Sequence, residues 1–485
     1  MRSEHRPEGG TPGQDRARAS HDHPPTPALV EFMTQGWDSP GSEVAPLISG
    51  AASYRARREE VSQSFPGMLI VVPAGMEKIR ANDTTYPFRA TTDYLYLVGE
   101  AEPDEVLVME PLPGGGHRAS IFTEPAADFT KSDFFTDRVK GVFWVGPGRG
   151  VSGTESRLGI SARPISELPR AISPYDRGVA LRGVDATVDR LVSDLAGPDD
   201  QLVSRLSEMR LIKDSAEIEY LEEACELTRQ GFEDVVRALP QARTERDVEV
   251  AFFARARSAG NDTGYPTIAA AGSHGTILHW SQNTGELRRG ELLLLDAGVE
   301  TNRYYTADVT RTMPVDGHFT PTQRRVYQLV YDAQQAGFAE VKPGNDFDAP
   351  NRAAMRVLAA GLEELGLLPV SAQESVHPDS QLHRRYTLHS VSHMLGLDVH
   401  DCAKARAENY RQGKLRPGMV LTVEPGLYFQ SHDLTVPEEL RGIGVRIEDD
   451  LLVTEDGHRV LSAGLPSAPE DVERWMAELW AGSAG

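Results

Sequence analysis

Four acidic residues and one histidine late in the chain, Asp296, Asp308, His393, Glu424 and Glu448, constrain the fold more than any other feature. The run from Glu291 to Gly298 is a short apolar stretch closed by glycine, and it reads as a buried strand delivering Asp296 at its end. In Asp308-Val309-Thr310-Arg311-Thr312 the alternation of period two puts Asp308, Thr310 and Thr312 on one face. The same alternation separates Thr422 and Glu424 from Leu421 and Val423, and Arg446 and Glu448 from Val445 and Ile447. Four strands would then bring four carboxylates to one sheet face, where lost hydration and mutual repulsion make the cluster untenable without cations. Four carboxylates and one imidazole can balance two divalent cations held side by side with a water between them, which is an arrangement for hydrolysis.

Each residue alone has an ordinary explanation. An aspartate at a strand end commonly serves as a turn residue or a helix cap, and a single histidine commonly satisfies a core or surface position. Those explanations do not account for five such residues in this order and in these flanking strings.

The strings ILHW (277–280), DAGVE, DVTRT, SHMLGLDVHD, PGMVLTVEPGLY and RGIGVRIEDD, in that order, resemble the pita-bread metallopeptidases, most closely the bacterial Xaa-Pro aminopeptidases (aminopeptidase P). The segment NDTTYPFRATTDYLYLVGEAEPDEVLV (82–108) is similar to that family's first domain, so the resemblance spans roughly residues 50 to 470. It implies an α/β protein in which a creatinase-like N-terminal α/β domain precedes a pita-bread catalytic domain. The implied activity is metal-dependent removal of an N-terminal residue that precedes proline, with two divalent metal ions, Mn²⁺ foremost, as cofactors.

Residue by residue, the resemblance makes Asp296 a ligand of one metal and Asp308 and Glu448 ligands of both. It makes His393 a ligand of the second metal, and Glu424 a ligand beside the bridging water that accepts its proton. It assigns His279 and His400 to the scissile peptide and the developing tetrahedral intermediate, and His389 and Arg446 to the pocket near the substrate. The spacing from Asp296 to Asp308 is one residue longer than is common in the family, which singles out the hairpin around Asn302 to Tyr305. Away from the resemblance, the 389/393 spacing suits a helical turn with His389 as a packing or capping residue. His279 beside Trp280 reads as a strand residue, and the Asp401 side chain as one that orients His400.

The formal charge of −22 disfavours nucleic acid and anionic membranes as partners. No apolar run approaches the ~18 residues of a membrane span. Two cysteines, Cys225 and Cys402, suit a reducing cytoplasm, and Cys402 reads as a bystander to the hard-oxygen site.

Punctuation divides the chain into a tail (1–49), an N-terminal α/β domain (50–212) and a catalytic domain (213–485). Residues Met1 to Pro27, rich in Arg, His, Pro, Gly and Ser, read as a disordered stretch, with a short ordered element over Val30 to Trp37 and a loop to Pro46. Asp214 with Glu217 forms a capping-box pattern opening a helix that Pro240 stops. The Gly-rich run Gly146 to Gly150 reads as a turn rather than a phosphate loop, with no helix start evident after it. The resemblance further implies a homo-oligomer, a dimer or a tetramer, in which Trp144 of VFWVG reaches a neighbouring pocket; residue type alone places Trp144 in a core. Peptides with proline second are the expected substrates. A prolidase limited to Xaa-Pro dipeptides is the alternative that the ligand strings do not separate, and a non-catalytic pita-bread interaction protein would be expected to have lost ligands.

Overall fold

The computed structural model describes residues 23–38, 45–82 and 84–482. The chain divides into two compact units, 1–203 and 204–485, with the division inside the helix Asp199–Met209. Most of the expected disordered stretch (1–22), and most of the expected loop up to Pro46 (39–44), lie outside the described residues. Within the described part, the helix Pro27–Met33 begins three residues earlier than the ordered element read from the sequence, with Thr26 capping it and proline in its first turn.

The first unit is built on a five-stranded sheet. Its strand order is Ser161–Pro164, His117–Thr123, Val106–Pro111, Leu69–Pro73 and Gly178–Ala180. The three central strands pair antiparallel and the two edge strands add in parallel. Leu69, Val71, Val106, Val108 and Phe122 pack one face against Leu168, Ile172, Val188 and Val192. The Gly146 to Gly150 segment differs from its sequence reading, because the helix Gly150–Leu158 starts at its end. Its partners are nonetheless carboxylates and not an anion site: the Arg149 N–H donates to Glu102, and the Arg149 guanidinium engages buried Glu105 at 3.0 Å. Trp144 also departs from the core position expected of it. It sits in the short helix Val142–Val145 with 46% of its surface exposed, its indole N–H donating to the Phe135 carbonyl and the Arg138 guanidinium over its ring.

In the second unit the Asp214–Glu217 capping box forms as read, opening the helix Ser215–Ala238. Such a cap contributes about 1 kcal/mol. This helix, Glu245–Ala259 and Pro321–Glu340 cover a three-stranded antiparallel sheet ordered Val309–Pro314, Leu292–Ala297, Ile268–Ala271. Leu293 and Leu295 join Phe232, Phe252, Val326 and Tyr327 in the main core. Leu294 projects oppositely, into a small cluster with Ile268, Ala270 and Tyr428, and the period of two carries Asp296 to that same face. A second sheet orders Val420–Val423, Asp449–Val453 and His458–Val460, while Gly426–Tyr428 pairs with Gly444–Arg446. Bridges Thr310 to Glu448 and Met394 to Leu421 join these pieces.

The carboxylates therefore come from several sheets, which corrects the expectation of a single sheet face. Only Asp296 lies within a strand; Asp308 and Glu424 sit one residue outside strand ends, and Glu448 falls between two strands. The hairpin between the aspartates closes on Gly298, where a Cβ would lie 1.8 Å from the Ala307 carbonyl oxygen. It turns at Tyr304 with φ of 67°, the left-handed conformation that a non-glycine residue adopts at a cost.

Candidate metal centre

Among the described residues, Asp308, His393 and Glu448 present ligand atoms that all lie within 4.8 Å of one another. His393 Nε2 is 3.3 Å from Asp308 Oδ2 and 3.4 Å from Glu424 Oε1. Its backbone is fixed by two bonds to Thr422, the residue two before Glu424, so the strand Val420–Val423 positions imidazole and carboxylate together. The Asp308 N–H donates to Asp450 Oδ2 at 3.0 Å, and the Thr310 hydroxyl donates to Glu448 Oε2 at 2.7 Å. Asp296 completes the set: it accepts from the Tyr265 hydroxyl at 2.7 Å and from Arg446 Nη2 at 2.5 Å.

Electrostatics reveal what the cluster lacks. Burial, with Asp308, Glu424 and Asp296 around it, holds the Glu448 carboxyl well above the usual range. Burial also raises Asp296, against the pull of Arg446, and raises Glu424, against the pull of His393. His393 moves the other way: burial opposes its charge, but the Asp308 hydrogen bond and the Glu424 charge overcome it and push the pKa up to about 9. One imidazolium and one guanidinium do not satisfy four carboxylates. Glu448 Oε1 is buried without a hydrogen-bond partner among the described residues. An oxygen-rich donor set with a buried, unpartnered carboxylate oxygen fits hard divalent cations.

Around this centre the expected substrate residues fall in irregular chain. His389 lies in a loop, not the helical turn its spacing suggested, since the segment leads into the Met394 to Leu421 bridge. Its Nδ1 is 3.6 Å from Glu424 Oε2, its Nε2 pairs with the Tyr428 hydroxyl at 2.7 Å, and burial with nearby Arg446 pushes its pKa down to about 4. His279 occupies an exposed turn rather than a strand. His400 is exposed, its ring 4.4 Å from that of His393. Asp401 does not orient His400: its carboxylate accepts from Arg210 Nε at 2.9 Å and from the Cys402 N–H, which anchors the loop instead. Cys402 is a buried free thiol, and Cys225 is buried against Asp450.

Buried Arg446 reaches Asp296, Thr310 and Tyr428 at once. Sequence reasoning missed Tyr265 and Tyr428. Tyr428 ends the quoted string PGMVLTVEPGLY, two residues beyond Pro-Gly on a strand, which was its available signal; Tyr265 stands in no comparable pattern.

Four carboxylates and an imidazole gathered at strand ends and connections are the site of a pita-bread metallopeptidase. The profile of metallopeptidase family M24 matches residues 219–455, and that of the aminopeptidase P N-terminal domain matches residues 54–178. The chain is 50% identical over 457 residues to Xaa-Pro aminopeptidase 1 of Streptomyces coelicolor, covering 93% of this chain and 92% of that one. It is 33% identical to the Xaa-Pro aminopeptidase of Escherichia coli, over 88% and 98% of the two chains. Two solved structures are similar. Aminopeptidase P from Escherichia coli with the inhibitor Pro-Leu has a TM-score of 0.80 at 30% identity, and the zinc-substituted enzyme in complex with product has 0.79 at 32%; each comparison covers 89% of this chain and 99% of the other. The chain belongs to metallopeptidase family M24, in its aminopeptidase P branch.

Proposed function

We propose that this chain is a metal-dependent Xaa-Pro aminopeptidase that releases an N-terminal residue from peptides with proline at the second position. Its 50% sequence identity to Xaa-Pro aminopeptidase 1 of Streptomyces coelicolor, over 93% of the chain, supports the activity. The observation that carries the mechanism is the buried carboxylate cluster with its unpartnered Glu448 oxygen. In this reading Asp296, Asp308, His393, Glu424 and Glu448 hold two divalent ions, Mn²⁺ favoured by the oxygen-rich set. Bound there, the ions supply charge compensation and Lewis acidity for amide hydrolysis.

The chain's own residues do the rest. Glu424, with Oε1 3.4 Å from His393 Nε2 and Oε2 3.6 Å from His389 Nδ1, stands at the reacting centre as the proton acceptor that a general base must be. His279 and His400, exposed beside the cluster, donate to the scissile carbonyl as negative charge develops on its oxygen. His389 and Arg446, linked through the Tyr428 hydroxyl, fix one wall of the site and hold Asp296 in place. A bond to proline is a tertiary amide without an N–H, so recognition rests on ring shape and carbonyl polarisation. We further read the chain as three segments, 1–49, 50–212 and 213–485, forming a cytoplasmic homo-oligomer, dimer or tetramer, with neither nucleic acid nor membrane as partner. The low cysteine count and the charge of −22 support that reading. Among the described residues no helix is long and apolar enough to cross a membrane.

Glu424→Gln tests the assignment. It keeps an oxygen near the ions and removes the base, so kcat should fall by roughly 10² to 10⁴ with bound metal retained. A change confined to KM would assign Glu424 to binding instead.

A further inference from the structure

Beside the metal centre lies a cavity of about 460 Å³, walled by the helix Ala349–Glu364 and by the segment 376–390. That volume is within the range of ligand sites. His389 belongs to both places: it lines the cavity, and its Nδ1 is 3.6 Å from Glu424 Oε2. The cavity and the reacting centre therefore share His389 as a wall residue.

Its charge runs against that of the chain. Three guanidinium groups, Arg352, Arg356 and Arg384, line it with a single carboxylate, Asp348. Arg352 is balanced, paired with Asp346 at 3.0 Å and Asp348 at 3.1 Å. Among the described residues Arg384 donates to neutral acceptors alone, Gln381 Oε1 and the Leu388 carbonyl. Arg356 stands one helical turn from Arg352 on the same face and has no ion pair or hydrogen bond among the described residues. Two uncompensated positive charges beside the active centre stand out in a chain of net charge −22. Thr387 also lines the cavity, and its buried hydroxyl has no hydrogen-bond partner among the described residues. A hydroxyl donor together with the Arg356 guanidinium and the Arg384 guanidinium, which faces neutral acceptors alone among the described residues, is a donor set for a carboxylate.

We propose that this cavity is a subsite for the part of a peptide beyond the proline, and that Arg356, Arg384 and Thr387 select substrates carrying a carboxylate there. The inference rests on the Xaa-Pro aminopeptidase reading. The carboxylate is supplied either by the peptide's own C-terminus or by an acidic side chain. Since Arg356 is exposed, the preference is modest and weakens with salt.

The test compares Ala-Pro-Ala-Ala as free acid and as amide, and Ala-Pro-Ala-Glu-amide with Ala-Pro-Ala-Gln-amide, on the Mn²⁺-loaded full chain. The expected result is a KM about 3- to 10-fold lower for the carboxylate member of at least one pair. The gap should close in Arg356→Gln/Arg384→Gln and reverse in Arg356→Glu. A gap in the first pair identifies the C-terminus, and a gap in the second identifies the side chain. Equal KM values within both pairs, or a preference that persists in both variants, would overturn the subsite while leaving the activity intact. If none of the four peptides is cleaved, the activity reading itself fails and the subsite with it.

Discussion

Glu448 and Asp449 are neighbours in sequence and both are buried, yet the protein treats their charges in opposite ways. Asp449 is fully supplied: Oδ1 accepts from Arg311 Nη2 at 2.7 Å and from the Ser462 hydroxyl at 2.6 Å, and Oδ2 accepts from Gln334 Nε2 at 2.9 Å. Arg311 in turn directs its remaining donors to the carbonyls of Thr310, Glu448, Leu465 and Pro466. Among the described residues, Glu448, one residue earlier, has a single side-chain bond, from Thr310 to one oxygen, none on the other, and three more carboxylates around it. The chain can neutralise a buried acid with its own side chains, and at Asp449 it does. At Glu448 the deficit is therefore a property of the site, one that external cations would fill.

The largest effect is expected at Arg311. Arg311→Met should leave Asp449 buried and unpaired and destabilise the second unit by about 3 to 5 kcal/mol, read from the shift in urea midpoint. Loss of less than about 1 kcal/mol would mean that Asp449 is not held by this pair. At its neighbour the change should run the other way. In metal-free protein, Glu448→Gln removes one of several repelling charges, so its urea midpoint should match or exceed that of the metal-free parent by about 1 kcal/mol in stability. A large destabilisation would show that Glu448 is compensated by the protein after all.

A third acid is paired with an exposed guanidinium, that of Arg406. Glu208 accepts both guanidinium donors of Arg406, at 2.6 and 2.9 Å, and the Asn409 amide, which hold its pKa down from 4.5 to about 2. A folded pKa below the unfolded one means that the stability is present above about pH 4.5 and is lost as pH falls toward 2. Because water screens the pair, Glu208→Gln should cost less than about 1 kcal/mol at pH 7 and flatten the acid limb of the stability profile. An unchanged acid limb would contradict the assignment.

Much of this site is legible in the sequence alone. Period-two alternation places Asp308, Thr310 and Thr312 on one face, and the fold uses Thr310 and Thr312 there to hold Glu448 and Arg446. The Asp214 to Glu217 cap is equally plain, since capping is a local interaction between residues three apart. What the sequence hides is non-local. Tyr265 and Tyr428 act through partners 31 and 39 positions away, and no short-range pattern encodes such a meeting. Asp401 misleads for the same reason: adjacency suggests His400, but Arg210, 191 positions earlier, holds it. Nor does alternation reveal that the strands belong to separate sheets, because the register between strands is set by packing.

Whether the uncompensated cluster around Glu448 holds two cations is decided by metal stoichiometry. After exhaustive chelation and reloading with Mn²⁺, elemental analysis should find two ions per chain, with hydrolysis of an Xaa-Pro peptide lost and regained in step. Full hydrolysis by rigorously metal-free protein, or a reloaded chain that binds no Mn²⁺, would contradict it.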